Sequence, residues 1–242
     1  MTRYLIMIAV LLLPAGLTGC LYDNSQPEGY SEDQMSFEHR TGDFTSVRLS
    51  GNFLVRLENA DVASVEINAE EEMKKLIFVD IRDGVLTVRN TEDRTFYNRN
   101  RAELVIKAPK IEFIEVLKSA KIVGDRPFRF DELRIESSGA LKMDIELLGN
   151  QFTGVFAGAT DLNLRGEVKN VKFNIPGAGK VSAFELKTQE LNLSMSGAAK
   201  AEVFADKWLK VDVAGACNVV YKGNPDEVFT NISGIGRVNE AR

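Results

Sequence analysis

From residue 137 to residue 235 the chain repeats one short phrase: Ser137-Ser138-Gly139-Ala140, Phe156-Ala157-Gly158-Ala159, Ile175-Pro176-Gly177-Ala178, Met195-Ser196-Gly197-Ala198, Val213-Ala214-Gly215-Ala216 and Ile232-Ser233-Gly234-Ile235. Successive glycines are 19, 19, 20, 18 and 19 residues apart. A fixed period near 20 is the mark of a solenoid, in which each repeat buries its apolar face only against its neighbours. Six residues before each glycine stand Leu133, Phe152, Val171, Leu191, Leu209 and Val228. Two before stand Ser137, Phe156, Ile175, Met195, Val213 and Ile232, and four after stand Met143, Leu162, Val181, Ala201, Val219 and Val238.

Apolar residues at alternate positions on both sides of the glycine describe two short strands per repeat, each with one buried face. At ~3.3 Å per residue such a repeat makes a coil of roughly 60 Å perimeter, and stacked coils place like residues in columns about 4.8 Å apart. The expected fold is all-β: a single-stranded parallel β-helix, expected right-handed, with coils of about 19 residues. The glycines Gly139, Gly158, Gly177, Gly197, Gly215 and Gly234 are expected at the turns, where glycine reaches φ > 0 without steric cost. No lysine-serine pair or helix follows them, which excludes a phosphate-cradling loop.

Upstream of residue 119 the pattern loosens. Phe44, Val47 and Leu49 lead through Gly51 to Phe53, Val55 and Leu57. Glu70 to Leu76 has the composition of one or two helical turns, and Asp83-Gly84 between apolar runs predicts a hairpin. Ser119-Ala120-Lys121-Ile122 has the look of a degenerate first repeat. Residues 43–242 therefore read as one domain, with 43–118 an irregular cap and 119–242 the regular coils. A cap is needed because an open strand edge invites pairing with another chain.

The first 19 residues carry Arg3, an apolar run from Leu5 to Leu13, and Leu17-Thr18-Gly19 before Cys20. A run this short is a secretory signal and not a membrane span. Leu-Thr-Gly-Cys resembles the bacterial lipobox, which implies cleavage before Cys20 and lipid attachment there. Residues 20–42 are polar and aperiodic and read as a flexible tether, spanning on the order of 26 Å. Leu21 and Tyr22, with no aspartate after the cysteine, point to the outer membrane of a Gram-negative cell.

Composition narrows the function classes. The net charge is −5 from 30 basic and 35 acidic residues, and loss of Arg3 with the signal takes it to −6. That balance argues against nucleic acid as partner. Once Cys20 is lipidated only Cys217 remains, so no disulfide can form within the chain. Cys217 falls in a column of small residues and reads as a buried thiol. The single histidine, His39, lies in the tether, which removes the usual general base and any multi-histidine metal site from the folded body. No catalytic residue, cofactor or metal is expected.

The opening Phe44-x-x-Val47 with Gly51-x-Phe53-x-Val55, then Asp83-Gly84-x-Leu86, the glycine-alanine repeats and the ending Ile232-Ser-Gly-Ile-Gly-Arg-Val238 resemble the auto-transporter adhesin head GIN domain family over about residues 43–242. The resemblance implies a secreted or lipid-anchored bacterial envelope protein with a β-helical body and a role in adhesion.

Two surfaces are candidates for binding. The loop from Thr91 to Arg101 interleaves Arg94, Arg99 and Arg101 with Phe96 and Tyr97, a set suited to sugar rings, carboxylates or a partner protein. Three residues after each glycine lie Lys142, Asp161, Lys180, Lys200, Asn218 and Arg237, an outward charge ladder; the plainer reading is a solvated column that discourages edge pairing. The functional expectation is a non-enzymatic, lipid-anchored binding or adhesion module for a polymeric or protein ligand, a glycan or an envelope or host protein. The alternatives are a polysaccharide-acting β-helix enzyme and a structural periplasmic partner.

Overall fold

The structure, a computed structural model, describes the main chain of residues 36–40 and the whole of residues 42–91 and 101–241. These fall in one compact unit. Its first half contains β1 (Ser36–Arg40), β2 (Ser46–Ser50), β3 (Asn52–Asn59), β4 (Ser64–Asn68), the single helical turn α1 (Glu71–Lys74), β5 (Ile77–Arg82), β6 (Val85–Asn90) and β7 (Ala102–Ala108). Then come β8 (Phe113–Val116), β9 (Ser119–Val123) and β10 (Phe128–Ser137). Four long strands follow, β11 (Ala140–Phe156), β12 (Thr160–Ile175), β13 (Ala178–Phe204) and β14 (Trp208–Lys222), and β15 (Glu227–Gly234) and β16 (Arg237–Glu240) close the described chain. The fold is a β-solenoid of about 7 turns.

The columns expected from the period are the observed register. Leu133 pairs with Phe152, Phe152 with Val171, Val171 with Leu191, Leu191 with Leu209 and Leu209 with Val228, all in parallel. On the other side of the glycines, Ile122, Met143, Leu162 and Val181 stack in the same way. Each coil thus supplies one strand to each of two faces, and the residues between them are the core. Phe128, Phe152, Phe156 and Phe173 are fully buried there, with the rings of Phe152 and Phe173 edge to face at 5.2 Å. Ser137 interrupts one apolar column, and its buried hydroxyl donates to the Gly139 carbonyl at 3.2 Å, so no polar group is left unpaired. Cys217 is buried, as its small-residue column required.

All six turn glycines lie against the main chain of the coil beneath, and three of them also need the left-handed backbone. Gly197, Gly215 and Gly234 have φ of 94°, 101° and 108°, the conformation expected of all six. Gly139, Gly158 and Gly177 do not have positive φ; what excludes a side chain there is the coil beneath. A β-carbon on Gly139 would stand 1.7 Å from the Lys118 carbonyl oxygen, and one on Gly158 would stand 1.9 Å from that of Gly139. The coils are stacked backbone on backbone at this corner.

Much of the stretch read as an irregular cap consists of coils. β2 and β3 form one, with Gly51 at its turn; β6 with β7 and β8 with β9 form two more. The β2–β3 coil lies between the other two, although it precedes both in sequence: β2 pairs with β6 and β8, and β3 with β7 and β9, all in parallel. Antiparallel strands then close this end. β5 folds back on β6 through Asp83-Gly84, whose φ values of 51° and 75° fit the expected hairpin, and β4 runs antiparallel to β7. β1 runs antiparallel to β4, so the stretch read as tether contains a strand, with His39 opposite Val65. At the far end, β15 and β16 pair only with β14, and Val228, Phe229, Ile232 and Ile235 are exposed.

Candidate functional site

Outward residues of a β-solenoid repeat once per coil, so a charged column is a geometric consequence of the register. Lys142, Asp161 and Lys180 are consecutive rungs, as are Lys200, Asn218 and Arg237. The ladder is partly self-neutralised: Lys142 Nζ donates to Asp161 Oδ2 at 2.9 Å, which holds the Lys142 ammonium above its ordinary pKa. Lys200 pairs instead with Glu202 in its own strand at 2.7 Å. Lys180 and Arg237 form no ion pair among the described residues.

Acidic groups elsewhere on the outer surface are tied up in the same manner. Asp144 accepts from Arg165 Nη1 at 2.8 Å and from Asn163 Nδ2 at 3.0 Å. The hydrogen bond from Arg165 is the main cause that lowers the Asp144 carboxyl below the usual carboxylate range; burial opposes it and Asn163 adds to it. Asp212 pairs with Lys210 at 3.3 Å. No group of three metal-ligating side chains meets among the described residues.

Of the arginine-aromatic loop, Arg94, Phe96, Tyr97 and Arg99 lie outside the described residues. Arg101 is described and exposed. It lines an open depression of about 280 Å³ together with Lys142 and Asp161, over the small side chains of Ala120, Ala140 and Ala159. The base of the loop and the start of the charge ladder therefore share one corner of the solenoid.

A second concavity lies elsewhere on the solenoid. The bend between β9 and β10 and the end of β3 enclose a cavity of about 550 Å³ lined by Glu58, Asn59, Asp125, Arg126, Pro127 and Arg129. Its walls are fixed by side chains distant in sequence. Arg56, two residues before Glu58 on the same outward face of β3, donates to Glu103 through Nη2 at 2.9 Å and to Asp125 through Nη1, so one guanidinium joins two carboxylates. The Glu103 hydrogen bond is the main cause that raises the Arg56 pKa further, against the opposing effect of burial. Asn59 pairs with the main chain of Arg129 in both directions, accepting from its N–H at 2.7 Å and donating to its carbonyl at 2.9 Å. The only signal in the sequence was Gly124-Asp125-Arg126-Pro127, a turn composition that also carries charge.

No curated protein matches the chain. Among solved structures, one of a Bacteroides fragilis protein described as a "putative adhesin" is similar with a TM-score of 0.80 at 20% identity, covering 87% of this chain and 98% of that one. A Parabacteroides distasonis protein with the same description gives 0.66 at 20% identity over 86% and 97%. Another from Parabacteroides distasonis, described as a "putative lipid binding protein", gives 0.59 at 14% identity over 87% and 98%. Identities this low establish a shared fold and nothing about shared ligands. The family profile that matches covers residues 43–225, ending before the Ile232 to Val238 stretch, so the last coil stands outside it. The chain belongs to the family described as "Putative auto-transporter adhesin, head GIN domain".

Proposed function

We propose that this protein is a lipid-anchored adhesion module of the cell envelope, tethered through Cys20 to the outer membrane of a Gram-negative cell. It binds a polymeric or protein ligand with the side of its solenoid and catalyses no reaction. Membership in an adhesin family is the observation that carries this reading. The coil geometry supports it: chemistry repeated every ~4.8 Å offers a polymer many weak, equivalent contacts, which add through effective concentration. The pairing of Asp144, Glu202 and Asp212 with neighbouring bases also supports a non-enzymatic reading, because glycoside hydrolysis needs two carboxyls facing each other across a cleft.

The experiment is display of the full-length protein on a non-adherent bacterium, with retention measured on surfaces coated with glycans, envelope polymers or host matrix proteins. Retention on at least one coating, lost with Cys20→Ser, is expected. Cells that are retained on no coating while the protein is displayed at the surface contradict the proposal.

A further inference from the structure

We propose that the cavity between the end of β3 and the β9–β10 bend binds an acidic sugar, a hexose-type ring bearing a carboxylate. The inference deepens the adhesion reading and relies on that reading only for the cavity's presentation to a ligand.

The charges around the cavity are divided into satisfied and unsatisfied sets. Asp125 is engaged by Arg56, and Glu58 lies 4.0 Å from Lys107. Arg126 and Arg129 also line the cavity, are exposed, and make no side-chain hydrogen bond or ion pair among the described residues. On this protein's surface most cations near a carboxylate have taken it as partner, as Arg48, Arg134 and Lys110 do with Glu115, Glu136 and Glu112. Two guanidinium groups left free at one concavity are therefore available to an external anion. Their planar forks suit a carboxylate, which can accept two parallel N–H bonds.

The cavity is also built in advance. Asp125 is fixed by Arg56 at the start of the bend, and Asn59 fixes the Arg129 main chain at its end. Pro127 stiffens the segment between them, because its ring fixes φ. A bend held at both ends loses little freedom when a ligand arrives. The volume of about 550 Å³ falls in the range of small-ligand sites.

The ligand class follows from the mixture of groups. A sulfate would meet the arginines but bring nothing for the carboxylates of Glu58 and Asp125 to accept, and a phosphate would bring only its own one or two P–O–H groups and no apolar face. A run of acidic peptide side chains would be repelled by those carboxylates. An acidic sugar has one anion for Arg126 and Arg129, several hydroxyls that donate to Glu58 and Asp125, and a C–H face for the Pro127 ring.

The test is isothermal titration of the purified full-length protein, in detergent, with galacturonic acid trimer, galactose trimer and poly-aspartate. Binding of the galacturonic acid trimer alone is expected. The double variant Arg126→Ala/Arg129→Ala should weaken that binding at least tenfold, and Arg126→Lys/Arg129→Lys should restore only part of it, because lysine keeps the charge and loses the fork. An unchanged thermal midpoint shows that the variants remain folded, as expected for exposed side chains. Equal binding of galactose or poly-aspartate, no binding of galacturonate, or undiminished binding by the alanine variant overturns the proposal. Cell retention separates the two claims. If displaying cells adhere and the protein ignores galacturonate, only the cavity assignment fails. If the protein binds galacturonate through both arginines and the cells adhere nowhere, only the adhesion reading fails.

Discussion

Gly158 rests directly on Gly139: a β-carbon on Gly158 would come within 1.9 Å of the Gly139 carbonyl oxygen, in the coil beneath. Since the clash is with main chain in a stacked coil, no rotamer change relieves it. Gly158→Ala should destabilise the protein by about 3 kcal/mol, the upper range for overpacking. Gly84 makes the contrast, with φ of 75° and nothing within 4 Å of a β-carbon. Gly84→Ala should cost about 1 kcal/mol, from backbone strain alone. Denaturant midpoints for the two variants measure the difference, and equal losses would contradict the stacked corner.

Burial predicts a gradient along the solenoid. Leu193 is fully buried between coils, whereas Ile232 in the last coil is 44% exposed. Leu193→Ala should cost about 2–5 kcal/mol. Ile232→Ala should cost less than about 1 kcal/mol, since little of its surface is taken from water. Hydrogen exchange offers an independent check: amides of β15 and β16, each paired on one side only, should exchange before those of β12 and β13.

The repeat period conveyed the columns because a solenoid turns sequence spacing directly into register. Leu133, Phe152, Val171, Leu191, Leu209 and Val228 were aligned by counting alone. The insertion of the β2–β3 coil between two later coils was not legible. Any of these parallel strands can pair with any other of like alternation, and the order depends on packing across the whole end of the molecule. The second concavity was hidden for a related reason: Asn59 and Arg129 are 70 residues apart, and only the fold brings them together. At the turn glycines the residue type was legible, but close approach to the coil beneath, which acts at all six, was not; positive φ acts at only three.

Acid should loosen one corner of the solenoid in a predictable direction. The Asp144 carboxyl is lowered in the folded protein, chiefly by Arg165, so the unfolded chain takes up its proton at higher pH than the folded one. The stabilisation is complete above about pH 4, the ordinary aspartate value, and fades as pH falls through the lower folded value. The side chains of Asp144 and Arg165 are 44% and 38% exposed, so solvent screening limits the contribution to under about 1 kcal/mol. Asp144→Asn should therefore flatten the acid limb of a stability-against-pH curve, and the difference between wild type and variant should shrink as pH falls through the lowered folded value. A variant whose acid limb matches that of wild type would contradict the Arg165 account.

Arg56 should matter more to the shape of the cavity than to the fold. Arg56→Met keeps much of the side chain's apolar stem but releases Asp125 and Glu103 together. A loss of about 1 kcal/mol or less is expected, because both carboxylates remain partly open to water, Asp125 at 70% exposure. Amide exchange in the bend from Gly124 to Phe128 should rise selectively. Uniform protection across that bend in the variant would show that Arg56 does not fix it.

The central claim is an adhesion module that meets its ligand outside the cell, and its most direct test is antibody labelling of intact cells. Antibody raised against the folded domain should label intact cells as strongly as permeabilised ones, and replacing Cys20 with serine should release the protein from the cells. Labelling only after permeabilisation would place the domain in the periplasm and contradict the adhesion account.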